Sequence, residues 1–204
     1  ADKKGDITPY LPHVPEVKKG KRIALLGAGP ASLVVARDLL PHGYEVHMFD
    51  QDTLGGGMMR SQIPAFRLPI EVLDEEVDLI LDMGVVTHFG HEITSMKEML
   101  QMDFDAYFIG TGAPRGRDLE MKGRQEGTAH ISIGIDWLSS VAFGHTTRIK
   151  GKVIVMGGGN TAMDCCRTAK RLGAESVSVV VRSDFAVMKA SDWEKEDAMS
   201  EGIP

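Results

Sequence analysis

The feature that most constrains the fold of this chain is a glycine turn that occurs twice, each time between an apolar strand-like run and a helix-like run. The first copy is segment 21–32, KRIALLGAGPAS, and the second is segment 151–162, GKVIVMGGGNTA. In such a unit the first glycine makes the tight turn, and the second lets the backbone approach a pyrophosphate at the helix N-terminus. Two such units predict an α/β chain with two dinucleotide sites that exchange electrons.

The residue that ends the second strand of each unit distinguishes the two cofactors. After the first turn this residue is Asp50, whose carboxylate accepts hydrogen bonds from adenosine ribose hydroxyls and repels a 2′-phosphate, which suits FAD or NAD. After the second turn it is Arg182, whose guanidinium can pair with a 2′-phosphate and therefore favours NADP. The alternative is that both are simply polar residues at strand ends.

Composition argues against several other classes of protein. The chain has 204 residues, 43% of them hydrophobic, and 23 basic and 29 acidic side chains give a net charge of −6, so general nucleic-acid binding is not expected. No run approaches the roughly 18 apolar residues of a membrane span, and we expect no signal peptide. The two cysteines, Cys165 and Cys166, are adjacent, which favours buried packing over a redox pair or metal site and fits a cytoplasmic protein.

Periodicity and turn residues predict how the rest of the chain is organised. Segment 54–69 is rich in glycine and proline, and an irregular loop of this length is usually functional. The histidines show no metal-ligand spacing, so we expect them in loops or on the surface and expect no metal site. The predicted helices cover 30–41, 70–83, 94–100, 135–141 and 160–172, and the predicted strands include 22–27, 45–50 and 85–89. The predicted organisation is an N-terminal arm (1–20), an FAD-binding domain (21–150) and an NAD(P)-binding domain (151–204).

Four motifs together resemble the family of the glutamate synthase small subunit, whose relatives include the flavin region of dihydropyrimidine dehydrogenase and the ferredoxin:NADP transhydrogenase large subunit. The motifs are GAGPA at 27–31, GGMMR with IPAFRLP across 56–69, DAYFIGTGA at 105–113 and GGGNTAMD at 157–164. The resemblance implies a Rossmann-like FAD-binding domain with the first part of an inserted NAD(P)-binding Rossmann domain. It also implies hydride transfer between NADPH and FAD, with electrons passed to an iron–sulfur protein or subunit.

The resemblance further implies which residues meet each cofactor. No acid–base catalytic residue is expected, because the cofactors carry the chemistry. The residues expected at FAD are Gly27, Gly29, Pro30, Ala31, Ser32, Asp50, Gln51, Gly57, Met58, Arg60, Ile63, Thr111 and Gly112. The residues expected at NADP(H) are Gly157, Gly159, Asn160, Thr161, Ala162, Arg182 and Ser183.

The chain departs from the family pattern at several positions. Ser32 stands where a third glycine is usual, Ser61-Gln62 where Tyr-Gly is common, and Ser183 where a second arginine is frequent. The family's returning FAD segment and the rest of its nucleotide domain are not found before Pro204. We therefore expect a C-terminally truncated piece of a larger chain or hetero-oligomer. Two alternatives stay open: a nucleotide-binding or scaffold module without turnover, and a pyridine nucleotide–disulfide reductase, which needs a cysteine pair near its flavin.

Overall fold

The computed structural model describes residues 8–204 and divides into two compact α/β units. The first unit holds the described residues through Arg60 together with Leu68–Ala113, and the second holds Ser61–Arg67 together with Pro114–Pro204. Residues 1–7 of the predicted N-terminal arm lie outside the described residues. Within residues 8–204, no helix is long and apolar enough to cross a membrane.

The sheet of the first unit has four parallel strands, β1 (Arg22–Leu26), β2 (Glu45–Asp50), β3 (Val86–Phe89) and β4 (Ala106–Ile109), in the order β3-β2-β1-β4. The chain therefore leaves the central strand β1 toward β2 and returns later on its other side with β4. This is a topological switch point, the place where open α/β sheets bind ligands at the carboxyl ends of their strands. The elements are β1 (Arg22–Leu26), α1 (Pro30–Leu39), β2 (Glu45–Asp50), α2 (Met58–Ser61), α3 (Ile70–Leu81), β3 (Val86–Phe89), α4 (Met96–Met99) and β4 (Ala106–Ile109).

Both faces of this sheet are covered, which explains why residues 23–26 of β1 are an unbroken apolar run. Leu25 packs on one face with Leu33 of α1 and Leu73 of α3. Leu26 packs on the opposite face with Met99 of α4. A slip of one residue in strand pairing would turn the side chains of β1 to the opposite faces of the sheet. The packing on both faces therefore fixes the strand register, and with it the positions of the turns that follow the strands.

The second unit is built on a parallel pair of strands, β5 (Lys152–Met156) and β6 (Ser176–Val180), with α6 (Asn160–Arg171) packed against it. Met163, Cys166 and Ala169 of α6 form its core with Val177 of β6. The predicted domain boundary at residue 150 lies inside this unit, because α5 packs with α6. The elements are α5 (Gly134–Ala142), β5 (Lys152–Met156), α6 (Asn160–Arg171), β6 (Ser176–Val180) and α7 (Asp192–Ser200).

The helices and strands that periodicity predicts are present, with differences at their ends. Helix α1 ends at Leu39 rather than near residue 41, because Pro41 has no amide hydrogen to continue it and the chain turns through a 3-10 segment, Leu40–His42. The helix predicted over 94–100 is the single turn α4, and segment 54–69 is not wholly irregular because α2 lies within it.

The expectation that the histidines lie in loops or on the surface is wrong for His47, which is buried in β2 at 7% exposure. Its Nε2 lies 2.7 Å from Glu45 Oε1, and its Nδ1 lies 3.0 Å from His88 Nε2. Burial, and then the neighbouring His47, lower the pKa of His88. The buried imidazole is satisfied by Glu45, two positions earlier in β2, and by His88 on the neighbouring strand β3. Sequence periodicity does not reveal such pairs.

Candidate functional site

Three turns of the first unit meet at the carboxyl edge of its sheet. The amide of Gly27 donates a hydrogen bond to a β2 carbonyl at 2.8 Å, and the amide of Gly110, just after β4, donates to a β1 carbonyl at 2.8 Å. The amide of Gly56 donates to the Ala28 carbonyl at 2.9 Å, which brings the glycine-rich turn before α2 to the same edge. Backbone hydrogen bonds therefore hold the turns at the carboxyl edge of the sheet in place at the switch point.

Two glycines at this edge are required by the fold itself. Gly27 has φ of +89°, and a Cβ built there would lie 2.5 Å from the carbonyl oxygen of Gly110. Gly57 has φ of +53°, and a Cβ built there would lie 2.8 Å from Cα of Gly29. Any side chain at either position would push the neighbouring backbone away, so these glycines give the turn its shape.

At Gly29, by contrast, the fold of the protein does not itself require a glycine. Its φ of −79° and ψ of 178° suit any residue, and the nearest atom to a Cβ built there is Gly57 Cα at 3.9 Å. It is the N-cap of α1, and no side chain caps the helix there. The first-turn amides of Ala31 and Ser32 therefore lie at a helix N-terminus that suits a phosphate. A missing side chain at Gly29 keeps the approach to these amides open, so the residues present fit a dinucleotide pyrophosphate.

Asp50 ends β2 beside this turn and orders it. Its carboxylate accepts hydrogen bonds from the amides of Ala28, at 2.6 Å, and Asp52, at 2.9 Å. Burial, and then the negative charge of Asp50, raise the pKa of Asp52. Each carboxylate oxygen of Asp50 has a second lone pair, so it can also accept from a ribose hydroxyl as predicted. The structure thus adds a supporting role that the sequence interpretation missed.

Arg60 lies beneath the glycine-rich turn and is only 5% exposed. Its Nε donates to the Gly55 carbonyl at 2.6 Å, and its Nη2 donates to Asp74 Oδ1 of α3 at 2.6 Å. The guanidinium therefore ties the turn to α3. Any effect of Arg60 on a cofactor would act through the position of that turn.

Ser32, which stands in place of the usual third glycine, is fully buried at the start of α1. Its hydroxyl has no hydrogen-bond partner among the described residues, and a Cβ built at Gly110 would overlap with it. Gly110 thus provides the space that Ser32 occupies, and the sequence interpretation did not single it out. Of the other residues predicted at FAD, Ile63 belongs to the second unit. The exposed ones are Pro30, Ala31, Gln51, Met58, Thr111 and Gly112.

The second glycine turn repeats this arrangement in the second unit. The amide of Gly157 donates to a β6 carbonyl at 3.0 Å. Gly159 is the N-cap of α6 with φ of −102° and ψ of 174°, and a Cβ built there meets nothing within 4 Å. The amide of Ala162 donates to the Gly159 carbonyl at 2.9 Å, and the amides of Asn160 and Thr161 precede it at the helix N-terminus. Gly159 is therefore another glycine that the protein alone does not need.

The loop after β6, residues 181–191, carries Arg182, the predicted 2′-phosphate contact, and Ser183, which was also predicted at NADP(H), and both are exposed. Asn160 was predicted to meet NADPH. In the structure its Oδ1 accepts a hydrogen bond from the amide of Ser191 at 2.9 Å, so its side chain tethers the loop.

The first five residues of the IPAFRLP motif, 63–67, belong to the second unit, and two of them make contacts with its charged side chains. The ring of Phe66 lies 4.0 Å from the guanidinium of Arg171, and Arg67 forms ion pairs with Asp164 and Glu194 at 2.8 Å each. Sequence reasoning missed both acids as functional candidates. A usable signal was Asp164 itself, a carboxylate between Met163 and Cys165 in a stretch of α6 that packs on the sheet.

Cys165 and Cys166 are free and buried on α6, which confirms the prediction that they serve packing. The Sγ of Cys166 donates to the Met163 carbonyl at 3.2 Å. Burial raises the pKa of Cys165 to about 12 and that of Cys166 to about 11. Thiols of this kind are poor nucleophiles, so the structure gives them no redox role.

We expect both thiols to be nearly inert in the folded protein. The thiolate, which is the reactive form, would be populated about a hundredfold or more below that of an ordinary cysteine with a pKa of about 8.5. In a DTNB assay at pH 8, labelling of the native protein should lag far behind labelling in denaturant. Stoichiometric native labelling as fast as in denaturant would contradict the buried, raised-pKa state.

Two parallel α/β units, each with a glycine turn and an open helix N-terminus at the carboxyl ends of its strands, define a protein of the dinucleotide-binding class. The sequence profile of the pyridine nucleotide-disulphide oxidoreductases matches residues 21–204, and the chain belongs to that family. The predicted α/β fold class and the resemblance to the glutamate synthase small subunit are confirmed.

Longer curated proteins are similar to this chain. It is 38% identical, over 92% of its length, to the NADP(+)-dependent formate dehydrogenase subunit beta of Moorella thermoacetica and covers 27% of that protein. It is 36% identical, over 94% of its length, to the NADPH glutamate synthase small chain of Azospirillum brasilense and covers 42% of that protein. The chain therefore spans less than half the length of these relatives.

Solved structures share the fold at low sequence identity. The NADPH complex of FprA from Mycobacterium tuberculosis has a TM-score of 0.67 at 17% identity, covering 88% of this chain and 47% of that chain. Thioredoxin reductase of Lactococcus lactis in its FR conformation has a TM-score of 0.63 at 19% identity, covering 88% and 61%. At these identities the likeness establishes the fold alone.

Proposed function

We propose that this chain carries the FAD site and the NADPH site of a flavin-dependent oxidoreductase. Hydride passes between NADPH and FAD, and electrons continue to an iron–sulfur protein or subunit of a larger chain or hetero-oligomer. The observation that carries the proposal is the pair Gly29 and Gly159, two glycines that the fold does not require at two helix N-termini. An NADPH-Fe(3+) oxidoreductase subunit beta of Geobacter sulfurreducens, 37% identical over 94% of this chain, supports the same assignment.

In this proposal the first unit holds FAD. The amides of Ala31 and Ser32 bind the pyrophosphate, and the Asp50 carboxylate accepts from the adenosine ribose. Gly57 brings the turn before α2 against the pyrophosphate turn, because its backbone lies close to Gly29. Bound FAD supplies the hydride-accepting and single-electron chemistry, so the chain's residues need only bind, orient and shield it.

The second unit holds NADPH in the same way. The amides of Asn160 and Thr161 bind its pyrophosphate at the start of α6. Arg182 lies two residues after the end of β6, close to the position that Asp50 has at the end of β2, but with the opposite charge. A guanidinium there attracts a 2′-phosphate, whereas a carboxylate repels it, so the two sites select different dinucleotides. Ser183 adds a hydroxyl that can donate to the same phosphate.

Disulfide reductase chemistry is not favoured for this chain, although the family name includes it. Such chemistry needs an accessible low-pKa thiol, and burial raises the pKa of both Cys165 and Cys166 well above that range. Free thiols also suit a reducing compartment, and we place the protein in the cytoplasm. A nucleotide-binding module without turnover is the remaining alternative, and the experiment below separates it from an enzyme.

The proposal is tested on the larger chain or hetero-oligomer that contains this chain, which is loaded with FAD and mixed anaerobically with NADPH in a stopped-flow spectrometer. We expect about one FAD per chain after gel filtration and loss of flavin absorbance on mixing, faster with NADPH than with NADH. Retained flavin that NADPH does not bleach would identify a binding module instead of an enzyme. Failure to retain FAD at all would overturn the assignment of the first unit.

A further inference from the structure

The loop that carries Arg182 is anchored at its far end. Residues 181–191 join β6 to α7, and Arg182 itself is exposed. At the end of the loop the Ser191 amide donates to Asn160 Oδ1 at 2.9 Å, and the preceding amide donates to the Gly158 carbonyl at 2.8 Å. The loop therefore runs from the end of β6, where Arg182 lies, to an anchor at the glycine turn, and its course depends in part on what fixes the start of α7.

A fully buried carboxylate fixes the start of α7. Glu194 lies in the first turn of this helix and is 0% exposed. Nη2 of Arg67 lies 2.8 Å from its Oε1, and Nη1 of Arg167 lies 3.2 Å from its Oε2. A carboxylate buried this completely needs charged partners, because its desolvation is otherwise too costly.

Arg67 connects Glu194 to the helix that follows the glycine turn. Its Nη1 lies 2.8 Å from both carboxylate oxygens of Asp164 on α6, one turn after Asn160. Burial raises the pKa of Asp164 and of Glu194, and the charge of Arg67 opposes the rise in both. A planar guanidinium holds two carboxylates in fixed directions at once, whereas an ammonium on a flexible stem fixes their relative position less rigidly. Arg67 thus adds a link between α6 and α7 to the ion pair that Arg167 of α6 makes directly with Glu194.

Arg67 comes from a segment that is distant in the sequence from both helices. It is 97 positions from Asp164, and the segment Ser61–Arg67 packs within the second unit. The adjacent Phe66 contacts the guanidinium groups of Arg167 and Arg171, with centroid distances of 4.8 and 4.0 Å. The segment is therefore held in the second unit by ring and charge contacts as well as by the Arg67 ion pairs.

We propose that Arg67 is a positioning residue for recognition of the NADPH 2′-phosphate, because it locks α6 to α7 and thereby holds the loop that presents Arg182. This inference rests on the proposed function. Arg67 does not contact the nucleotide in this role. Its loss should therefore weaken recognition of the 2′-phosphate, while binding of the pyrophosphate by the α6 amides is retained.

The test compares NADP+ with NAD+, which differ only in the 2′-phosphate, by isothermal titration calorimetry on the FAD-loaded full protein. We expect the wild type to bind NADP+ about tenfold or more tightly than NAD+, since a charge-assisted contact is lost in NAD+. Arg67→Lys keeps the positive charge but loses the planar guanidinium that holds two carboxylates. It should reduce the preference for NADP+ about tenfold while changing NAD+ affinity less than about twofold. Asp164→Asn should act in the same direction.

Arg171→Lys is the matched control. Arg171 contacts Phe66 and pairs with Glu201 at 2.7 Å, and its ion pairs do not involve Asp164 or Glu194. It should leave the preference unchanged. Arg182→Ala should remove the preference, and adding Arg67→Lys to it should cost nothing further, because both act through one contact.

Three results would decide against the inference. A lower melting temperature for Arg67→Lys with an unchanged NADP+/NAD+ ratio would show a purely structural role. Additive losses in the double variant with Arg182→Ala would show that Arg67 does not act through Arg182. A wild type with no preference for NADP+ would overturn the NADP assignment of the proposed function, and this inference with it.

Discussion

Replacing Gly29 with valine should abolish FAD retention while the first unit stays folded. The backbone at Gly29 is extended, and the nearest atom to a Cβ there is 3.9 Å away, so the protein accommodates the start of a side chain. The pyrophosphate of bound FAD would occupy the space in front of Gly29 into which the valine side chain projects. Losing two hydrogen bonds to a charged group, at about 1.5–3 kcal/mol each, weakens binding by about a hundredfold or more. The flavin spectrum after gel filtration measures the effect.

A thermal unfolding scan separates this effect from misfolding. Valine at an N-cap costs at most about 2 kcal/mol relative to a good cap, and less relative to glycine, so the melting temperature should fall only slightly. Gly29→Ala should give an intermediate flavin affinity because its side chain is smaller. Stoichiometric FAD in purified Gly29→Val would show that this turn does not bind the pyrophosphate.

Replacing Gly159 with valine should have the corresponding effect on NADPH. A Cβ at this position meets nothing within 4 Å, and the φ of −102° suits a β-branched residue. The side chain would instead stand in front of the Asn160 and Thr161 amides. We expect NADP+ affinity by calorimetry to fall about a hundredfold or more, because two charge-assisted hydrogen bonds are lost.

Each of these two variants is the control for the other. Gly159→Val should keep full FAD occupancy, and Gly29→Val should keep NADP+ binding in its second unit. A protein in which either substitution removed both ligands would have been unfolded or would use one shared site. Unchanged NADP+ affinity in folded Gly159→Val would exclude the start of α6 as the pyrophosphate site.

The sequence alone determined the elements that precede and follow each glycine turn. A period of two or of 3.6 residues, together with the turn residues, is local information, so strands such as β1 and helices such as α6 are readable from the chain. The charge contrast between Asp50 and Arg182 is equally local, although Arg182 lies two residues beyond β6 rather than at the predicted strand end. The class of protein followed from these patterns, because the glycine spacing reflects how closely a phosphate approaches the backbone.

Only the tertiary structure decided which distant residues support the two sites. Gly110 makes space for Ser32, Arg60 ties its turn to α3, and Arg67 joins two helices of the second unit. The same structure divides the units after Ala113 rather than at residue 150. These facts depend on which surfaces meet across the fold. Burial, ion pairing and steric exclusion act between atoms that are close in space, and spacing along the chain does not encode those contacts.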